Sequence, residues 1–143
     1  MKKLLLAAAI IALTPLPAMA DRTSYKPSNN PTFKKECGAC HMAFQPGFLP
    51  ANSWELIMDD LGNHFGEDAS LDDETTSLIK QYLVKKAAKR VSGKPPLRIT
   101  RLRWFVREHN HEVSSRAKKK AGTMSNCTSC HRGAEKGYFD DDD

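Results

Sequence analysis

Apolar positions form one unbroken run near the start of the chain and, after it, only short groups at helical spacing. The run is residues 4–13, LLLAAAIIAL. Lys2 and Lys3 precede it, and Ala18-Met19-Ala20 makes a small-x-small cleavage site before Asp21. A positive start, a short apolar stretch and such a site constitute a secretory leader, too short and wrongly flanked to span a bilayer. No later apolar run reaches membrane length. Residues 1–20 are therefore expected to be cleaved, leaving residues 21–143 as one exported, soluble domain of 123 residues with no membrane span.

The remaining pattern predicts helices and loops. Residues 21–30, DRTSYKPSNN, are polar and rich in turn formers, which predicts a flexible lead. Asn30 followed by Pro31 predicts the start of a short helix carrying Cys37 and His41. Residues 45–50 read as a loop. Asn52 and Glu55 have the spacing of a capping box. The helix it would open puts Trp54, Ile57, Met58 and Leu61 on one face, and Gly62 would end it. A third helix is expected over residues 72–91, with Leu71, Leu78, Ile79, Tyr82 and Leu83 as its inner stripe. Its early acids and late lysines suit the helix dipole, and Ser92-Gly93-Lys94-Pro95-Pro96 stops it. A fourth helix from Thr100 carries Trp104, Phe105 and His109, residues 113–120 form a basic fifth, and a last short helix carries Cys127 and His131. The expected class is all-α: a small, mostly helical domain with long loops and little or no sheet.

Charge excludes one class of partner. The formal net charge is +5, and the leader holds two lysines and no acid, so the mature chain keeps +3. The charges fall in blocks, acidic at residues 67–68, 72–74 and 140–143 and basic at 85–86, 89–90, 98–107 and 116–120. A mildly basic, exported chain of mixed blocks does not look like a nucleic-acid binder. Most of these charges read as solvated helix faces; one basic face could dock an acidic protein partner.

The cysteines change the picture. All four lie in two blocks, Cys37-Gly38-Ala39-Cys40-His41 and Cys127-Thr128-Ser129-Cys130-His131. A redox-active dithiol would use one pair on a βαβ scaffold, for which the chain shows no strand pattern. Zinc could take the thiolates, but 86 residues separate Cys40 from Cys127, far beyond a ribbon's spacing. Neither chemistry explains a histidine directly after each pair. Cys-x-x-Cys-His is the attachment pattern of c-type haem: two thiols add across the two vinyl groups, and the adjacent histidine is aimed at the iron. Two such motifs, no spare cysteine and an export leader predict two covalent haems on Cys37, Cys40, Cys127 and Cys130, with His41 and His131 as iron ligands. The macrocycles would supply apolar surface that a sparse core lacks, so folding should depend on them.

Each iron has a second axial position. Three histidines remain, His64, His109 and His111, and methionine is the competing ligand. Met58 sits in an apolar stripe and reads as core; Met42 and Met124 lie too close to their own motifs. His64 lies in Gly62-Asn63-His64-Phe65-Gly66, where two glycines allow a tight backbone. His109 and His111 point to different faces of a helix. His109 lies beside Trp104 and Phe105 on the apolar side and is favoured, with His111 as the alternative. Trp54, Phe65, Trp104 and Phe105 read as packing against porphyrin or core, and the tail from Tyr138 as solvated.

At these residues the chain resembles a family, the small periplasmic dihaem cytochromes c called DHC, the electron-donor partner of the oxygen-binding monohaem cytochrome known as sphaeroides haem protein. The resemblance rests on CGACHMAFQPGFLPANSW, HFGEDASLD, PPLRITRLRWFVREH and CTSCHRGAEKGYFD, and covers most of residues 33–140. It implies one mostly helical dihaem domain with two low-spin haems, each held by two histidines, and its motif positions carry over to His64 and His109. His111 departs from the family pattern. Two strong axial ligands leave no open site, so the expected function is one-electron, outer-sphere transfer in the periplasm, with no enzymatic activity. Expected partners are redox proteins: a monohaem oxygen-binding cytochrome c or a membrane quinol-oxidising cytochrome. The alternative is a dihaem protein with one open iron, acting as a peroxidase-like enzyme or gas sensor. Dihaem peroxidases need a longer chain, and the dihaem subunit of periplasmic nitrate reductase has its motifs closer together. A zinc-stabilised interaction protein would differ from all of these by its absorption spectrum.

Overall fold

The structure is a computed structural model that describes residues 23–139. The leader, residues 21–22 and residues 140–143 of the acidic tail lie outside the described residues. Helices dominate: α1 (Pro31–Cys37), α2 (Ala51–Asp59), α3 (Asp73–Lys86), α4 (Arg103–Asn110) and α5 (Ser115–Ala121). A minimal antiparallel ribbon pairs β1 (Thr23–Ser24) with β2 (Tyr138–Phe139), and short 3-10 turns link the rest. This is the mostly helical class expected, with little sheet.

Local chemistry accounts for several helix starts. In α1 the Asn30 side chain accepts the Phe33 N–H at 2.9 Å, and Pro31 fills the first helical position, where no amide is needed. Asp72 accepts the Thr75 N–H at 2.8 Å to open α3, whose first turn holds Asp73 and Glu74 and whose last holds Lys85 and Lys86. Ser114 caps α5 through Ala117 N–H at 3.2 Å. Helix α2 lies along α3, and the core they build contains Phe33, Phe48, Leu49, Trp54, Met58, Ile79, Leu83, Ile99 and Phe105. Ile79 and Leu83, four residues apart, are fully buried. Trp54 is buried with its indole N–H donating to the Pro46 carbonyl at 2.7 Å, which satisfies its one polar atom.

Four expectations need correction. Asn52 and Glu55 do not cap α2, which starts at Ala51. Asn52 instead clasps the Val91 backbone, donating to its carbonyl at 3.0 Å and accepting its N–H at 3.3 Å, and Glu55 pairs with Arg90. Helix α3 stops at Lys86 rather than running to residue 91, and Leu78 in its expected inner stripe is 54% exposed. The chain turns extended at Ala87, and Ala88 bonds with Leu49 and Ala51 on the segment entering α2. That pairing satisfies the otherwise orphan Ala51 amide, a gain the helix-forming sequence of residues 87–91 does not match. Helix α2 ends at Asp59, ahead of Gly62, and a 3-10 turn (Leu61–Asn63) follows. Finally, residues 23–30 are tied down. Tyr25 N–H donates to Gly137 O at 2.8 Å, its ring meets Phe48 edge-on at 4.5 Å, and Ser28 is buried, bonded to the Tyr82 hydroxyl.

The attachment motifs also sit differently from expectation. Helix α1 ends at Cys37, so Cys40 and His41 occupy the turn after it. Cys127 opens a 3-10 turn (Cys127–Ser129) rather than a helix, and the His131 N–H bonds to Cys127 O at 2.8 Å. The fourth helix begins at Arg103, after a 3-10 turn at Ile99–Arg101, and still carries Trp104, Phe105 and His109.

Candidate functional site

The four thiols do not converge. Among the described residues no group of three or more His, Cys, Asp or Glu side chains is arranged to hold a metal ion, so the cysteines form two separate places rather than one thiolate cage. Cys37 and Cys127 are half-buried, and burial pushes each thiol up to about 11. A thiol so placed stays protonated and inert near neutrality, the reverse of the depressed value a dithiol redox centre needs.

The histidines pair instead. His41, after the first motif, faces His64 with ring centres 6.2 Å apart. His131, after the second, faces His109 with ring centres 6.1 Å apart. Elementary geometry gives these separations a meaning. A metal–imidazole bond is about 2 Å long, and a ring with bonds of about 1.35 Å has its centre roughly 1.1 Å from each nitrogen. Two imidazoles on opposite sides of one metal therefore have ring centres roughly 6 Å apart. The ring centres of both pairs stand at about that separation.

Each ring is oriented by its surroundings. His41 Nδ1 lies 2.8 Å from the Met42 carbonyl, and His109 Nδ1 lies 2.8 Å from the Phe105 carbonyl. A carbonyl only accepts, so both Nδ1 atoms carry the proton and Nε2 keeps the free lone pair. His41 also stacks on Phe44, and His109 lies flat on Phe105 at 3.9 Å and 9°. His131 meets Phe139 at 5.5 Å and 66°. His64 follows the Leu61–Asn63 turn and is held by a two-way backbone bridge with Glu67, at 2.8 and 3.2 Å. The next residue, Phe65, has φ 58°, a left-handed conformation uncommon for a bulky side chain and the kind of strain that gathers at functional sites. Burial, then the neighbouring His41 and Arg98, lower the His64 pKa below its ordinary value, which favours the neutral ring that a metal requires.

Apolar surface flanks the first pair. Leu56, Phe65 and Leu97 are all exposed, yet they border one cavity of about 280 Å³ that His64 and Arg98 also line. Asp60 and Asn63 border it too, so its lining mixes apolar and polar side chains. Arg98 lies over the Phe65 ring at 4.2 Å. The rival ligands are elsewhere: Met58 is buried in the core, Met124 packs against it, and His111 is the exposed residue closing α4. Sequence reasoning singled out His64 and His109, but missed Phe44 and Phe139 beside the rings and the Phe105 stacking. Only the last leaves a local signal, an aromatic one helical turn before His109.

The arrangement is two histidine pairs, each including the histidine that follows one Cys-x-x-Cys motif. A family model described as dihaem cytochrome c matches residues 33–139, and the chain belongs to that family. It is similar to DHC purified from Rhodobacter sphaeroides, at 53% identity and TM-score 0.74, over 79% of this chain and 99% of that one. A second structure, a diheme cytochrome c from Rhodobacter sphaeroides, matches at 47% identity and TM-score 0.77, over 80% and 100%. A third, the diheme cytochrome sb-DHC from Shewanella baltica OS155, matches at 43% identity and TM-score 0.69, over 78% and 87%. No curated protein matches. The chain carries two haem c groups and is a haem c electron-transfer protein.

Proposed function

We propose that this is a periplasmic electron carrier whose two haems are each held by two thioethers and two imidazoles. Cys37 and Cys40 anchor the first haem, with His41 and His64 as axial ligands; Cys127 and Cys130 anchor the second, with His131 and His109. The supporting observation is the pair of histidine separations, 6.2 and 6.1 Å, each matching two imidazoles on one metal. The motifs lie at the ends of short local elements, and each distal histidine comes from a separate element, the Leu61–Asn63 turn or α4. Folding of the rest of the chain thus brings the second imidazole up to each attachment site.

When bound, the haem supplies reversible one-electron chemistry at iron. The chain supplies the rest. His41 and His109, protonated at Nδ1 and bonded to carbonyls, present basic Nε2 atoms in fixed orientations. With both axial positions filled, small molecules find no coordination site, so the protein passes single electrons to another redox protein and performs no ligand or substrate chemistry of its own. The leader at residues 1–20 supports export, and among the described residues no helix is long and apolar enough to cross a membrane.

The test is ligand removal. His64→Ala should convert one haem to a high-spin form and leave the other low-spin, and His109→Ala should do the converse, read by absorption spectra of the purified holoproteins. An unchanged spectrum in either variant removes that histidine from the ligand set. His111→Ala should leave both haems low-spin.

A further inference from the structure

The two histidine pairs share a separation but not an orientation. The His41 and His64 rings lie within 18° of parallel, whereas the His109 and His131 rings stand 79° apart. Each ring is held where it is. His41 is fixed by the Met42 carbonyl and by stacking on Phe44 at 4.9 Å and 26°. His64 sits edge-to-face with Phe65 at 4.9 Å and 62°. His109 is fixed twice by one residue, through the Phe105 carbonyl and the Phe105 ring, and Phe105 is itself buried. His131 packs against Phe139, which β1–β2 pairing anchors.

Ligand planes matter for the electronic state. The filled π orbital of an imidazole points perpendicular to its ring and raises the energy of the one iron dπ orbital it overlaps. Parallel rings act on the same dπ orbital and split the pair. Perpendicular rings act on one each and leave the pair nearly degenerate. In low-spin ferric iron the unpaired electron occupies this pair. A large splitting quenches its orbital moment, while near-degeneracy preserves it. Axial ligands are thus a lever by their orientation as well as their identity.

We infer that the two haems are electronically unlike, the first with well-split and the second with nearly degenerate dπ orbitals, and that Phe105 is the positioning residue that sets the second. This rests on the bis-histidine reading above.

Frozen-solution electron paramagnetic resonance of the oxidised wild-type holoprotein tests it. The expected spectrum holds two low-spin signals of equal spin count: one rhombic, with three resolved turning points, and one with a single broad feature at much lower field. His64→Ala should remove the rhombic signal, and His109→Ala the low-field one. Two rhombic signals, or two low-field ones, would overturn the inference while leaving bis-histidine ligation intact. A high-spin signal from the wild type would instead sink the ligation reading itself. Phe105→Leu keeps apolar bulk and removes the stacking ring, so the low-field signal should move toward the rhombic type. If it stays in place, Phe105 does not set the plane. Should that variant fail to fold, the wild-type and histidine-variant spectra still decide whether the haems are unlike.

Discussion

Gly137 connects the N-terminal lead to the second centre, and replacing it with alanine is a quantitative test of how the fold closes. Its φ is 84°, a left-handed conformation, and a Cβ added there would stand 2.1 Å from the Tyr25 carbonyl oxygen. The conformational term costs an L-residue about 1–2 kcal/mol. Relieving the clash must move the segment at Tyr25, which breaks the 2.8 Å bond from Tyr25 N–H to Gly137 O, worth about 1 kcal/mol. The movement also disturbs Tyr25 against Phe48 and Phe139. The total is about 2–4 kcal/mol, or roughly 10 °C in melting temperature for a domain of this size. Gly93→Ala is the control, because Gly93 has φ 76° with nothing within 4 Å of an added Cβ. It should show the conformational term alone. Guanidinium denaturation of the oxidised holoproteins, followed by far-UV circular dichroism, gives both values. If Gly137→Ala costs no more than Gly93→Ala, the lead is not held against the C-terminal turn as described.

Two further outcomes follow from local contacts. Asn52→Ala removes both hydrogen bonds to Val91 and should cost about 1–2 kcal/mol, measured by chemical denaturation, with the haem spectra unchanged. The hydrogen bonds from Thr75 hold the Asp72 carboxyl below its ordinary value, so its contribution to stability is present above the ordinary carboxylate range and is lost as pH falls through the lowered folded value. Asp72→Asn should therefore be less stable than wild type at neutral pH, with the difference fading in acid; a difference independent of pH would refute that account.

The parts of this fold that were legible in the sequence are those fixed by neighbours in the chain. Asn30 and Pro31 open α1 as expected because capping needs only three residues. Ile79 and Leu83 line the buried side of α3 because helical spacing alone puts them together. The family was legible for the same reason, since its motifs are contiguous. What failed depended on distant partners. Asn52 and Glu55 match a capping box, yet both are taken up by residues 90–91, 35 or more positions away. The lead looked flexible from composition, because nothing local reveals that Gly137 receives it. The candidate site divides likewise. Counting histidines against irons pointed to His64 and His109, and their ring centres lie 6.2 Å from that of His41 and 6.1 Å from that of His131, respectively. The relative rotation of the two pairs was illegible, because it depends on Phe44, Phe105 and Phe139 arriving from three separate segments.

The central claim is that imidazole fills both axial positions at both haems. Exposing the fully reduced wild-type protein to carbon monoxide tests it most directly, because only a vacant or weakly held sixth position binds the gas. The account predicts no change in the reduced absorption spectrum at either haem. Rapid binding of one or two equivalents per chain would contradict it.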